Sequence, residues 1–474
     1  MISKNKLALC VTLDDYNVFA GPDWPSYHDF LHGDRGVSAE IQQEISEFID
    51  RFTAQGTRFP IKTATACQSK WTWSTIYLNQ LSTASCHRVN PVPFALEDFD
   101  NFHNIPKKIQ DRKLMLEGKW PTGGCEYCRD IEHAGGWSDR QHNLEIRGLT
   151  PDEVEHDPTS VVVSPKIVEI FAQNTCNLAC VYCNGYLSSR IENENKKFGA
   201  FKKDGVLIPV TTYPTSATQE YFDKFITWLD RNIQKLVRLH LLGGETFIQH
   251  QLMHAVLDVI KRRPNPNLQF CVFSNCNVPD RYWDEYTQQI KYLQQHRHIK
   301  VFDLTASIDC WGPEQEYVRS GLDLEKFEQR LEWAARQGNW IRVNANQTVT
   351  AMTMKTMPDL IYKLAYYSQY KSIGHYFQFY TGSHMFQHPK HFAWQFWQDD
   401  CQRILAAIPT TSEHNLETRQ RMTGMIDFLR SHKHFNWAAI QQLHIYLDEI
   451  DRRRGTNWRS LFSYLDLQQQ QHEQ

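Results

Sequence analysis

The chain has 474 residues, 41% of them apolar and 22% charged, with a formal net charge of −3. That length can bury a large core with accessory units, and the charge gives no electrostatic reason to expect nucleic acid or an anionic membrane as partner. No apolar run approaches a membrane span, and residues 1–9, followed by Cys10 and the pair Asp14-Asp15, do not read as a secretory signal, so a cytoplasmic location is expected.

In chain order, residues 1–60 form an N-terminal segment to which no chemistry is assigned. Strands are expected at 73–78 and 83–87, joined through Asn79 to Ser82 as a β-hairpin with Cys86 near its end. From 160 to 385 strands and helices alternate. The expected strands are 166–171, 237–242, 268–274, 301–308, 340–347 and 376–381. Between them lie apolar residues at helical spacing: Phe222, Phe225, Leu229 and Ile233; Leu252, Val256 and Val259; and Leu324, Phe327, Leu331 and Ala334, with Gly338 as the expected C-cap. Strand–helix repetition with short links implies a parallel sheet, and six units suffice for an open, partial barrel. Residues 386–474 read as a helical C-terminal extension ending in the Gln-rich stretch 468–474.

Seven of the twelve cysteines fall into two groups: Cys67, Cys86, Cys125 and Cys128, then Cys176, Cys180 and Cys183. Clustered cysteines in a chain with no expected export signal favour metal or redox chemistry over disulfides. The other five, Cys10, Cys271, Cys276, Cys310 and Cys401, are dispersed, and Cys271 reads as a small buried hydrophobe.

Cys176-x3-Cys180-x2-Cys183 lies in the loop after strand 166–171. Thiolates at this spacing can converge on the corners of one iron–sulfur cube, and three ligands leave one iron open to a small molecule. Structural zinc is the alternative, although zinc modules usually pair two such units. With the aromatic Tyr182, this motif resembles the defining signature of the radical S-adenosylmethionine (SAM) superfamily. The resemblance implies a partial (β/α)6 barrel and a [4Fe–4S] cluster on Cys176, Cys180 and Cys183. It also implies that SAM binds the open iron and is cleaved reductively to a 5′-deoxyadenosyl radical, which takes hydrogen from substrate.

Further motifs carry the same resemblance, each at the C-terminal end of an expected strand, where parallel α/β sheets place ligands. Gly243-Gly244-Glu245 is similar to the motif that meets the methionine ammonium, with Thr246 where the family often has Pro. Ser274-Asn275 resembles a SAM-contacting turn, Ser307 and Asp309 the element at the ribose, and Arg319 an arginine that meets the methionine carboxylate. Tyr182 corresponds to a residue near the adenine, and Asn346 joins the set as a further candidate.

The first cysteine group lies in residues 61–150, which resemble an auxiliary-cluster domain of the twitch/SPASM type. Carrying the resemblance are the hairpin with Cys86, the run Gly123-Gly124-Cys125-Glu126-Tyr127-Cys128, and Glu132-His133 through Asp139-Arg140-Gln141. The family usually has Cys-Cys where this chain has Cys86-His87, and Cys67 is the remaining nearby thiol. The implied ligand set of an auxiliary [4Fe–4S] cluster is Cys67, Cys86, Cys125 and Cys128, with a four-cysteine zinc site as the alternative.

The expected function is radical modification of a peptide or protein substrate by crosslinking, oxidation or backbone excision, with ferredoxin or flavodoxin as electron donor. A small-molecule radical SAM dehydrogenase and a zinc-stabilised binding scaffold are the alternatives. No acid/base residue can be named from the sequence.

Overall fold

A computed structural model describes residues 63, 65–133, 138–140, 160–203, 206–210, 219–410 and 412–467. The N-terminal segment 1–60, residues 134–137 and 141 of the run after Cys128, and the Gln-rich end fall outside the described residues. The chain divides into two compact units, 1–169 with 235–237 and 170–234 with 238–474.

In the first unit, β1 (Trp73–Tyr77) and β2 (Ser82–Ala84) form the expected antiparallel hairpin, with Thr75 opposite Ala84 and Ile76 opposite Thr83. Their β-branched and aromatic residues suit a pleated, buried surface. A short 3-10 turn over Leu78–Gln80 links them, closed by Leu81 in the left-handed region at φ 45°. The second strand stops at Ala84 rather than 87, so Cys86 lies in the turn beyond the hairpin. β3 (Val92–Pro93) pairs back onto β2. The helix Pro106–Leu116 starts with Pro at its first turn, where the missing N–H costs nothing, and turns Lys108, Asp111, Arg112 and Met115 inward.

β4 (Ile167–Phe171) carries the chain from the first unit into the second. There follow β5 (Ala179–Cys180), the small antiparallel pair β6 (Phe201–Lys203) and β7 (Val206–Ile208), then β8 (Arg238–Leu242), β9 (Gln269–Ser274), β10 (Val301–Ser307), β11 (Arg319–Ser320), β12 (Ile341–Val349) and β13 (Ile373–Phe379). β8, β9, β10, β12 and β13 pair in that order, all parallel. Helices His250–Arg262, Asp280–Gln295, Leu324–Ala335 and Met357–Tyr367 make the crossovers. Leu239, Leu241, Phe270, Val272, Phe302 and Leu304 lie on one face of this sheet by their register and are all at most 1% exposed, while the alternate positions Arg238, His240, Asp303 and Thr305 lie on the other.

All six strands expected from the sequence exist. The last begins three residues early, and the third helix ends at Ala335 with Arg336 as its C-cap, so Gly338 lies beyond it. Helices Trp394–Ala407, Glu413–Arg430 and Trp437–Arg454 share one apolar core with Val181, Val318, Met352 and Met354 in the second unit. No helix of the described residues is long and apolar enough to cross a membrane.

Candidate functional site

The second unit gathers its motifs at the C-terminal ends of its strands. The cysteine loop leaves β4 and is anchored at both ends. The Cys176 amide donates to Ser189 Oγ at 3.1 Å, and Ser188, which caps the helix Ser189–Phe198, donates to the Leu178 carbonyl at 2.8 Å. Cys180 lies on β5, which pairs antiparallel with β11 and sets Cys180 opposite Arg319. Burial, then the neighbouring Cys180 thiol, pushes the Cys176 thiol up to about 12; Cys183 is raised by burial and by both other thiols. The three thiols thus raise one another towards the neutral form, and a metal centre would take them up as thiolates with release of their protons.

Gly243 and Gly244 have φ of 86° and 55°. A Cβ on Gly244 would lie 2.2 Å from the Thr175 carbonyl oxygen, so glycine here lets the turn meet the cysteine loop. The Glu245 amide then donates to that same carbonyl at 2.8 Å. Its fully buried carboxylate accepts from Ser274 Oγ at 2.8 Å, the Asn275 amide at 2.6 Å and the Phe247 amide at 3.1 Å. These three bonds fill most of the roughly four acceptor positions that a carboxylate has. Burial, opposed by these hydrogen bonds, raises the Glu245 carboxyl to about 6.

Asp309, Arg319 and Tyr182 form a second network. Arg319 grips Asp309 bidentately, Nε to Oδ2 at 2.8 Å and Nη2 to Oδ1 at 3.0 Å. Tyr182 donates to Oδ2 at 2.7 Å and the Thr348 amide to Oδ1 at 2.9 Å. All four acceptor positions of Asp309 are thus occupied within the protein. Where the resemblance puts Asp309 at a ribose, the structure has it holding Arg319 and Tyr182. The Arg319 guanidinium also stands 5.6 Å from the Tyr182 ring centre. Ser307 and Asn346 face each other in the β10–β12 register, both half-buried, and neither side chain makes a hydrogen bond among the described residues.

Sequence reasoning missed the clamp on the cysteine loop from the C-terminal helix. Tyr446 donates to the Val181 carbonyl at 2.6 Å, and Arg454, ion-paired with Glu194 at 3.0 Å, donates to the Ala179 carbonyl at 2.9 Å. No spacing could reveal contacts across more than 250 residues; the run Arg452-Arg453-Arg454 was the one visible sign.

The first unit assembles its own thiols. Cys67 precedes the helix Gln68–Thr72, Cys86 follows the hairpin, and Cys125 stands just before the helix Glu126–His133, which carries Cys128. Cys128 is therefore helical, while Cys125 closes the turn before it. Gly124, at φ 122°, brings the two turns together, since a Cβ there would lie 2.3 Å from the Arg88 carbonyl oxygen. The Asn90 amide donates to the Gly123 carbonyl at 3.1 Å across the same junction. Burial, then Cys67, raises Cys86 to about 12; burial raises Cys128 to about 11, with Cys67 adding to it. His87 turns to Asp139, Nε2 to Oδ2 at 3.4 Å, so the position where the family has a second cysteine holds a surface contact. Four thiols in one neighbourhood match the donor set of an iron–sulfur or zinc centre. Among the described residues no three His, Cys, Asp or Glu side chains are already drawn together as a metal cage.

No protein-family model matches the chain. No curated protein matches it. The chain is similar to the crystal structure of Streptococcus suis SuiB bound to precursor peptide SuiA, at 11% identity and a TM-score of 0.28, over 66% of this chain and 63% of that one. This chain thus spans less than two thirds of that protein, and a likeness of this size decides neither fold nor activity.

Proposed function

We propose that the chain is a radical SAM enzyme acting on a peptide or protein substrate. The observation that carries the reading is the meeting of the Cys176–Cys183 loop with Glu245 and with the Asp309–Arg319 pair at one end of a parallel sheet. Cys176, Cys180 and Cys183 would hold the [4Fe–4S] cluster, and Cys67, Cys86, Cys125 and Cys128 an auxiliary one. When bound, the first cluster supplies the electron that cleaves SAM to a hydrogen-abstracting radical.

The chain's own residues then bind and orient. Glu245 offers its carboxylate to the methionine ammonium. Ser274 and the Asn275 amide hold that carboxylate in place and keep part of its charge despite burial. Arg319 still has donors beyond those spent on Asp309, which suit a carboxylate. Asp309 serves as positioning residue for Arg319 and Tyr182. Ser307 and Asn346 have free polar groups for hydroxyls.

The test is anaerobic purification followed by iron and sulfide analysis and assay of 5′-deoxyadenosine with SAM and dithionite. Visible sulfur-to-iron absorption together with that product is expected. A colourless protein containing only zinc would overturn the reading in favour of a scaffold.

A further inference from the structure

The turn after β9 faces two ways. The Asn275 amide donates to the Glu245 carboxylate at 2.6 Å, while the Asn275 side chain reaches the cysteine loop, Nδ2 donating to Asn177 Oδ1 at 2.9 Å. Asn177 stands between Cys176 and Cys180, and its own Nδ2 donates back to the Asn277 carbonyl at 2.8 Å. Asn275 Oδ1 closes the circuit by accepting from the Asn277 amide at 2.8 Å. A backbone carbonyl can only accept and a backbone amide only donate, so both side-chain amides are fixed in orientation. Asn277 carries the bridge to a third element: its Nδ2 donates to the Gly321 carbonyl at 2.8 Å, just beyond β11 with Arg319.

The backbone around this bridge is held in conformations that need support. Cys276 sits in the left-handed region at φ 54°, uncommon for a residue with a side chain. Its amide donates to Ser274 Oγ at 2.9 Å, and the buried Arg330 donates to its carbonyl at 2.8 Å while pairing with Asp280 at 2.7 Å. On the far side Gly321, at φ 98°, makes room for the loop. A Cβ there would lie 3.4 Å from the Asn177 carbonyl oxygen and 3.0 Å from Arg190 Nη1, which donates to that carbonyl at 2.8 Å. Strained backbone persists only where its surroundings over-determine it, and it clusters at ligand sites.

Resting on the radical SAM reading above, we propose that Asn177 and Asn275 are positioning residues that fix the separation between the cluster loop and the Glu245 carboxylate. A SAM molecule held at once by the open iron and by Glu245 requires that separation to be set in advance. The Asn275 side chain is thereby turned to the loop, and its main-chain amide to the carboxylate.

The experiment uses the full-length chain, reconstituted anaerobically, with iron counted and 5′-deoxyadenosine assayed first in the wild type. Asn177→Ala and Asn275→Ala should keep the wild-type iron content, since every thiol remains. Each should slow 5′-deoxyadenosine formation by about 100-fold, the cost of misplacement by about an ångström. The spectroscopic mark is the change that added SAM makes in the EPR signal of the reduced protein, which reports only the cluster SAM touches. That change should be weakened in both variants. The double variant should be no slower than the slower single one, because either substitution already opens the bridge. Wild-type rates with an unaltered SAM-induced EPR change overturn the proposal. So do losses that multiply in the double variant, or iron lost in step with activity, which would make the asparagines supports of the fold alone. Should the buried Asn275→Ala fail to fold, Asn177→Ala decides, because that side chain is only half-buried. A wild type without iron or without 5′-deoxyadenosine overturns the radical SAM reading itself, and this is read before any variant is compared.

Discussion

The two cysteine sets are built in opposite ways. Cys176, Cys180 and Cys183 come from one short loop, and the cations beside it are already paired, Arg319 with Asp309 and Arg454 with Glu194. Cys67, Cys86, Cys125 and Cys128 come from three separate stretches, and the close backbone approach at Gly124 joins the turns that carry Cys86 and Cys125. The first set is thus fixed by local spacing, and the second depends on long-range approach.

The most drastic way to break the contrast is to remove the first set. The Cys176→Ala/Cys180→Ala/Cys183→Ala variant should lose about four irons and form no 5′-deoxyadenosine, because the cube has lost every protein ligand. Continued product with dithionite would end the radical SAM reading. Removing the second set should leave that chemistry standing. The wild type should hold about eight irons and the Cys125→Ala/Cys128→Ala variant about four, with SAM cleavage retained and substrate modification lost. A wild type with about four irons and one zinc, the iron unchanged in the variant, would replace the auxiliary cluster by a zinc site.

The pairing around the first set can be tested without touching a thiol. Asp309→Asn leaves the buried Arg319 guanidinium without its carboxylate. Stability should fall by about 3–5 kcal/mol, the range for breaking a buried ion pair. Urea unfolding reads this, and a midpoint equal to wild type would show that the pair is not structural.

The smallest expected effect concerns Glu245. Glu245→Gln should weaken SAM binding by about 1.5–3 kcal/mol, the range for a hydrogen bond to a charged group, with iron content unchanged. The carboxyl is raised to about 6, so below that pH it gains a proton and loses the charge that attracts an ammonium. SAM affinity in the wild type should therefore fall as pH drops through about 6, and the Glu245→Gln variant should lack that step. Calorimetric titrations across pH check both, and a step that survives in the variant would assign it to another group.

Legibility differed between the sets for a physical reason. The strand–helix alternation, the Cys-x3-Cys-x2-Cys loop and Gly243-Gly244-Glu245 were all visible, because each is a local pattern whose residues lie on one loop or one strand. The β5–β11 ladder escaped notice. Two-residue strands carry no periodicity, and their pairing joins Cys180 to Arg319 across 139 positions of sequence. The burial of Lys108, Asp111 and Arg112 on the helix Pro106–Leu116 escaped for a similar reason, because charged residues give no sign in the sequence of an inward face.

The sequence by itself determined the order of strands and helices, the identity of seven clustered thiols and the glycines that let turns approach them. These follow from side-chain period and from the φ freedom of glycine, both properties of neighbouring residues. Only the tertiary structure decided which polar groups are spent on one another. Asp309 accepts from Arg319, Tyr182 and Thr348, Glu245 from Ser274, Asn275 and Phe247, and Lys108 donates to the Ser74 and Thr83 hydroxyls. Hydrogen bonds and ion pairs form between whatever groups folding brings within about 3 Å, and that proximity is not written in the spacing of residues along the chain.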